Sequence, residues 1–296
     1  MHNFILLFAF GAMLFWGIGD FFLQKISKKL GSLYALTWVY LIGSVVLLPW
    51  AINSFSLIKT PINFITLLSL GIIECAYGIF VLKAFEQGKL SVVDVLFLLE
   101  LPLTVILGII FLGEKINFLQ MLLIACIIFG AILISRKKLG WLVKLWSYLI
   151  GSNKLLEKGA LLAIGAGTIS GFYNLVIAIS ARNISPILTI WFAWTISCIF
   201  LIIYLWHKRS LGIFLQVSKN NKKIILIGSI LDVLGWLFFA IAVAQKELSV
   251  TTAITASYPA IAVFFGIKLN KEKISAWQIF GAVIILTASI VISLIS

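Results

Sequence analysis

Residues Leu90 to Gln120 constrain the fold more than any other stretch, because the chain writes them twice. The segment LSVVDVLFLLELPLTVILGIIFLGEKINFLQ returns 158 residues later, from Leu248 to Gln278, as LSVTTAITASYPAIAVFFGIKLNKEKISAWQ. Leu90, Ser91, Val92, Gly108, Glu114, Lys115 and Gln120 reappear as Leu248, Ser249, Val250, Gly266, Glu272, Lys273 and Gln278. Pro102 and Pro259 match after a slip of one residue. At the same shift Glu74 answers to Asp232, Ala84 to Ala242 and Gln87 to Gln245. Nearer the start, Gly11, Ala12 and Gly17 match Gly165, Ala166 and Gly171 at a shift of 154, which sets Asp20 opposite Asn174. A repeat that fills half a chain decides its architecture before any local signal does.

The repeated unit is apolar. The chain is 62% hydrophobic and 11% charged, against about half and a quarter in a soluble domain. That composition excludes a water-facing fold and makes this a polytopic membrane protein. Crossing a hydrocarbon core of ~30 Å takes about 20 apolar residues in a helix. Ten such windows occur, at 4–23, 32–51, 64–84, 91–112, 117–135, 159–180, 185–206, 224–244, 250–269 and 274–295. None alternates strictly, so the fold class is all-α. The chain divides into a first five-helix repeat (1–135), a connector (136–158) and a second five-helix repeat (159–296). An odd number of spans makes the second repeat enter the membrane from the opposite face. The halves are then inverted repeats, an arrangement that places a substrate site near the midplane. The apolar run from Phe4 carries no cleavage signature and is read as a retained span. In the connector, Trp141, Leu142, Leu145, Trp146 and Leu149 recur at helical spacing, as in an amphipathic helix on the membrane surface. A plain linker with interfacial tryptophan anchors is the alternative there.

The formal net charge of +13 belongs to loops rather than to a nucleic-acid partner. Odd-numbered loops hold nineteen Lys and Arg residues, even-numbered ones only Lys59, Lys115, Arg182 and Lys246. Basic residues mark cytoplasmic loops, so the odd loops are expected in the cytoplasm and both termini outside. Cys75, Cys126 and Cys198 fall inside apolar runs without CxxC spacing, implying neither disulfide nor metal.

The five-plus-five pattern with a proline in the fourth and ninth spans resembles the EamA-type transporters of the drug/metabolite transporter superfamily. So do GEKIN (Gly113–Asn117) and NKEKIS (Asn270–Ser275), each followed by a glutamine and a glycine-containing apolar helix. The resemblance spans the whole chain. It implies export or exchange of small metabolites such as amino acids, drugs or sugar derivatives, through a cavity lined by spans 1–4 and 6–9. It also implies cytoplasmic termini, the reverse of what the loop charges give.

Only ten acidic residues occur, and five lie inside expected spans: Asp20, Glu74, Asp94, Glu100 and Asp232. A carboxylate in the bilayer needs a reason, since it is costly there. The mirrored pair Glu74 and Asp232 is the candidate for proton coupling. Binding of a cationic substrate group is the other functional reading for Glu74, Asp232 and Glu100. Glu100 and Asp20 are counted among the substrate-site candidates, though Asp20 and Asp94, nearer span ends, could instead reach interfacial water. The bland alternative for each is a buried hydrogen bond to a neighbouring helix. Residues three or four apart share a helix face. That groups Trp16 with Asp20, Tyr77 with Glu74, Trp236 with Asp232, Tyr173 and Asn174 with Ser170, and Thr255 with Tyr258. If these faces converge, they form a substrate pocket with aromatic walls, suited to amphiphilic or aromatic solutes. Pro102 and Pro259 loosen the backbone one turn earlier and are the candidate gates. No Ser-His-Asp set, phosphate loop, HExxH or metal-spaced histidine occurs. The expectation is therefore a secondary transporter in the cell membrane, with no enzyme activity, cofactor, metal or nucleic-acid partner. Its partners are a small-molecule substrate, membrane lipid and protons. A lipid or polyprenyl-carrier flippase is the rival reading, a lipid-modifying membrane enzyme a more distant one.

Overall fold

The computed structural model describes residues 2–88, 93, 96–135, 158–261 and 276–295, and every regular element among them is helical. The α-helices are α1 (His2–Leu30), α2 (Ser32–Ala51), α3 (Pro61–Gln87), α4 (Glu100–Leu112), α5 (Phe118–Ser135), α6 (Lys158–Asn183), α7 (Pro186–His207), α8 (Leu211–Ser218), α9 (Lys222–Gln245), α10 (Leu248–Thr255) and α11 (Ala276–Leu294). Six of them, α1, α2, α3, α6, α7 and α9, are long and apolar enough to cross a membrane, and α4, α5 and α11 contribute shorter apolar helices. The ninth expected span is described only as far as Ile261. The amphipathic connector and Asp94 lie outside the described residues.

Local signals account for most helix ends. Pro61 and Pro186 open α3 and α7, where a missing N–H costs nothing and φ is already helical. Ser185 caps α7 by accepting from the Leu188 N–H. The first helix runs seven residues past its expected end at 23, because Lys25, Lys28 and Lys29 are good helix formers and cations favour a helix C-terminus. The turn at Gly31, with φ of 89°, ends it. The 207–223 connector is not plain loop. It holds α8, whose Phe214 stacks on Trp38 with centroids 4.9 Å apart, and whose Ser218 hydroxyl accepts from Trp38 Nε1 at 2.5 Å.

The fourth and ninth spans are interrupted at matching places. Residues 98–99 form a turn ahead of α4, and residues 256–257 form one after α10. In the first, the Leu99 N–H reaches only back to Leu96 O; in the second, the Ser257 N–H reaches only to Ile254 O. Each bond is a three-residue step in place of the helical four, and the two are 158 residues apart. Pro102 and Pro259 follow within a turn, where a proline removes one ladder bond and crowds the preceding turn.

Packing follows the duplication. α1 lies along α9 as α3 lies along α6, and α4 packs on α6 as α10 packs on α1. Exchanging the halves exchanges these pairs, while α2 meets its counterpart α7 and α5 meets α11. One apolar core runs between α1, α2, α3, α6, α7 and α9, and a second joins α5, α10 and α11. Large apolar side chains face outward on α5 and α11, including Phe118, Met121, Leu122, Phe280 and Val283. Lipid, not water, suits such a surface.

Candidate functional site: an acidic, aromatic cavity between the halves

A cavity opens where α1, α2, α3 and α9 meet the two interrupted spans. Helical spacing aims its lining. Trp16, Asp20 and Leu23 come from α1, Leu36 and Tyr40 from α2, Glu74, Tyr77, Gly78, Val81 and Leu82 from α3, and Asp232 and Trp236 from α9. Phe97 and Glu100 flank the break before α4, and Tyr258 follows the break after α10. Glu100 and Tyr258 are therefore repeat counterparts, as are Glu74 and Asp232. Four carboxylates line this space, and none of the lining residues is Lys, Arg or His.

Glu74 is 2% exposed. The Tyr40 hydroxyl donates to its backbone carbonyl at 3.0 Å, while Oε2 of its carboxylate meets no donor. Tyr40 gets this close because residue 78 is glycine: a Cβ there would stand 2.0 Å from the hydroxyl oxygen. Glu100 accepts a hydrogen bond from Ser170 of α6. It also occupies the first turn of α4, where the helix dipole favours a negative group. The aromatic wall is continuous. Trp16 meets Trp236 edge-on at 4.8 Å, Tyr77 stacks on Tyr173 at 5.4 Å, and Trp236 stands edge-on to both tyrosines.

Of the residues expected to bind substrate, Trp16, Asp20, Tyr77, Glu100, Trp236 and Tyr258 line the cavity, and Glu74 and Asp232 line it with them. Tyr173, Asn174 and Thr255 do not. Tyr173 backs Tyr77 from behind, Asn174 donates to Thr104 Oγ1 at 3.3 Å, and Thr255 donates to Thr252 O at 3.2 Å. Pro102 and Pro259 sit beside the breaks, outside the lining. Reading the sequence missed Tyr40. The signal was there: Tyr40 matches Trp194 at the shift of 154, and the two rings meet with centroids 5.4 Å apart.

A second polar cluster, also missed, lies on the side that carries the even loops. Gly113, with φ of 64°, turns the chain out of α4, a conformation glycine adopts without strain. Glu114 is thereby aimed at the start of α10. Its carboxylate accepts from the Leu248 N–H at 2.5 Å, the Ser249 N–H at 3.0 Å and the Ser249 hydroxyl at 2.6 Å. Arg182 pairs with it at 3.2 Å, and also donates to Val243 O and Lys246 O at the end of α9. One ion pair thus caps the C-terminus of one helix and the N-terminus of the next. The cavity lining reaches the other way, from Trp16 and Glu74 near mid-helix to Leu23, Leu36, Leu82 and Phe97 by the first and third connectors.

A model of the EamA-like transporter family matches residues 3–136 and 157–294. No curated protein matches the sequence. One crystal structure of a protein superposes with a TM-score of 0.70 over 100% of this chain and 97% of its own, at 14% identity. A likeness at that identity is one of fold.

Proposed function

This chain belongs to the EamA-like transporter family, of the drug/metabolite transporter superfamily, and from that premise we propose that it is a secondary active transporter exporting or exchanging a small metabolite across the cell membrane. The observation that carries this reading is the acid-lined cavity at the junction of two inverted repeats, where both interrupted spans break. Discontinuous helices at matching places in two halves mark the substrate site in inverted-repeat transporters. Trp16, Asp20, Tyr77, Glu100, Trp236 and Tyr258 contact the substrate in this reading. Tyr173, Asn174 and Thr255 stiffen the wall behind them. The units are 1–135 and 159–296, joined by 136–158.

Alternation follows from the duplication. Two packings related by exchange of the halves are available to one sequence, and the breaks beside Pro102 and Pro259 let α4 and α10 bend between them. Here the Glu114–Arg182 cluster seals the even-loop side while the cavity extends towards the odd loops. Glu74 and Asp232 carry the coupling proton. A carboxylate that cannot stay charged in a low-dielectric cavity takes a proton when it has no cation beside it.

Uptake into proteoliposomes of the purified full chain tests this, screened across amino acids, amines, nucleosides and sugar phosphates with and without a pH gradient. Accumulation of at least one solute that collapses with the gradient is expected. Movement of lipid probes alone would replace this reading with a flippase, which the aromatic wall argues against.

A further inference from the structure

The cavity sets four carboxyl groups among aromatic walls, and that composition bears on the charge of what it can hold. Asp20, Glu74, Glu100 and Asp232 share it with no Lys, Arg or His among the fifteen lining residues. Arg182 lies outside the lining, held by Glu114 and two main-chain carbonyls. A substrate carboxylate or phosphate entering this space would meet four carboxyl groups and, among the described lining residues, no cation. The start of α4, a helix terminus beside the cavity that could favour an anion, already has Glu100 in its first turn.

A cation meets the opposite situation. Glu74 Oε2 is a buried acceptor on a residue that is 2% exposed, without a hydrogen bond of its own, and the Tyr40 and Tyr173 hydroxyls lie beside the carboxylate. A ligand N–H brought beside Glu74 would add a donor to an acceptor that is short of one. Trp16, Tyr77, Trp236 and Tyr258 add the ring faces that attract ammonium and guanidinium groups once these are desolvated. A bare metal ion does not fit. Among the described residues no group of three or more His, Cys, Asp or Glu side chains stands close enough together to hold one.

We infer that the cavity takes an organic cation: an amine, amidine or quaternary ammonium group on a flat apolar body, its charge beside Glu74 and Asp232 and its body against Trp16, Trp236 and Tyr77. The inference rests on the cavity being the transport site and narrows the substrate to one charge class.

A series that varies charge at nearly constant shape tests it. Phenethylamine and trimethyl(phenethyl)ammonium carry the positive charge, phenylalanine adds a carboxylate, and 3-phenylpropionate carries only the negative one. Binding to the purified full chain is read by calorimetry and by quenching of tryptophan emission. Both cations are expected to bind competitively, at least tenfold tighter than phenylalanine or phenylpropionate. Glu74→Gln should weaken phenethylamine at least tenfold. Asp232→Asn provides the second reading if the first variant misfolds, with thermal melting as the check on folding. The inference is overturned if phenylalanine or phenylpropionate binds as tightly as the amine, if no compound binds, or if both amide variants keep wild-type cation affinity. Proteoliposome uptake separates the two readings. Accumulation of an anion or zwitterion alone sinks the charge assignment and leaves transport standing. Cation binding without any uptake sinks transport and leaves the cation site.

Discussion

Glu74 is the side chain on which the proposed coupling turns. It is buried to 2% exposure, its Oε2 is unpartnered, and its repeat counterpart Asp232 lines the same cavity. An amide of the same shape keeps most packing and hydrogen bonding but neither binds nor releases a proton. Glu74→Gln is therefore expected to abolish pH-gradient-driven accumulation while leaving counterflow exchange measurable. Asp232→Asn should do the same or less. Wild-type pH dependence in the double variant would make both acids structural and move coupling to Glu100 or Asp20. The neighbouring Gly78 makes a steric prediction. An added Cβ would stand 2.0 Å from the Tyr40 hydroxyl and 2.8 Å from Leu36 Cδ1. Overpacking of this kind costs ~1–3 kcal/mol. Gly78→Ala should lower the melting temperature in detergent and push Tyr40 off the Glu74 carbonyl, reducing ligand-dependent quenching.

Among the elements, the two interrupted spans and the cap between them carry the argument. Prolines at matched positions announce where α4 and α10 weaken, since proline acts on its own backbone and on the turn before it. Nothing local announces that Glu114 serves a helix 134 residues away. That pairing depends on how α4, α6, α9 and α10 come together. The cluster makes a stability prediction: Glu114→Ala strands the Leu248 and Ser249 N–H groups and leaves Arg182 half-paired. Losing one partner from a buried charged cluster costs ~2–3 kcal/mol. Thermal melting of the variant should fall accordingly, and Arg182→Ala should fall similarly. The double variant should lose much less than the sum, because both substitutions break one network. Full additivity would show that the two side chains act separately.

For the molecule as a whole, charge asymmetry sets the expected direction. With nineteen basic residues on the odd loops against four on the even ones, α8 and its connector are expected in the cytoplasm. Gln216 on α8 is exposed. In a background lacking Cys75, Cys126 and Cys198, Gln216→Cys should resist membrane-impermeant thiol reagents on intact cells and react after permeabilisation. Ready labelling of intact cells would reverse the orientation and put both termini in the cytoplasm.

By itself the sequence determined what depends on composition and on neighbours along the chain. Apolar runs without alternation must become helices in lipid, because no other solvent-free arrangement satisfies an open backbone. The duplication paired the elements two by two, and Pro102 and Pro259 marked where two of them break. Helical spacing put Trp16 with Asp20 and Asp232 with Trp236 on common faces. Tertiary structure alone decided which faces meet. It brought Asp20, Glu74, Glu100 and Asp232 into one cavity, set Tyr173, Asn174 and Thr255 behind its wall, admitted Tyr40 through the gap at Gly78, and joined Glu114 to Ser249. A helix advertises which side chains share a face, but side-chain contacts between helices depend on rotation and close approach. Those are settled by packing that involves the whole bundle at once.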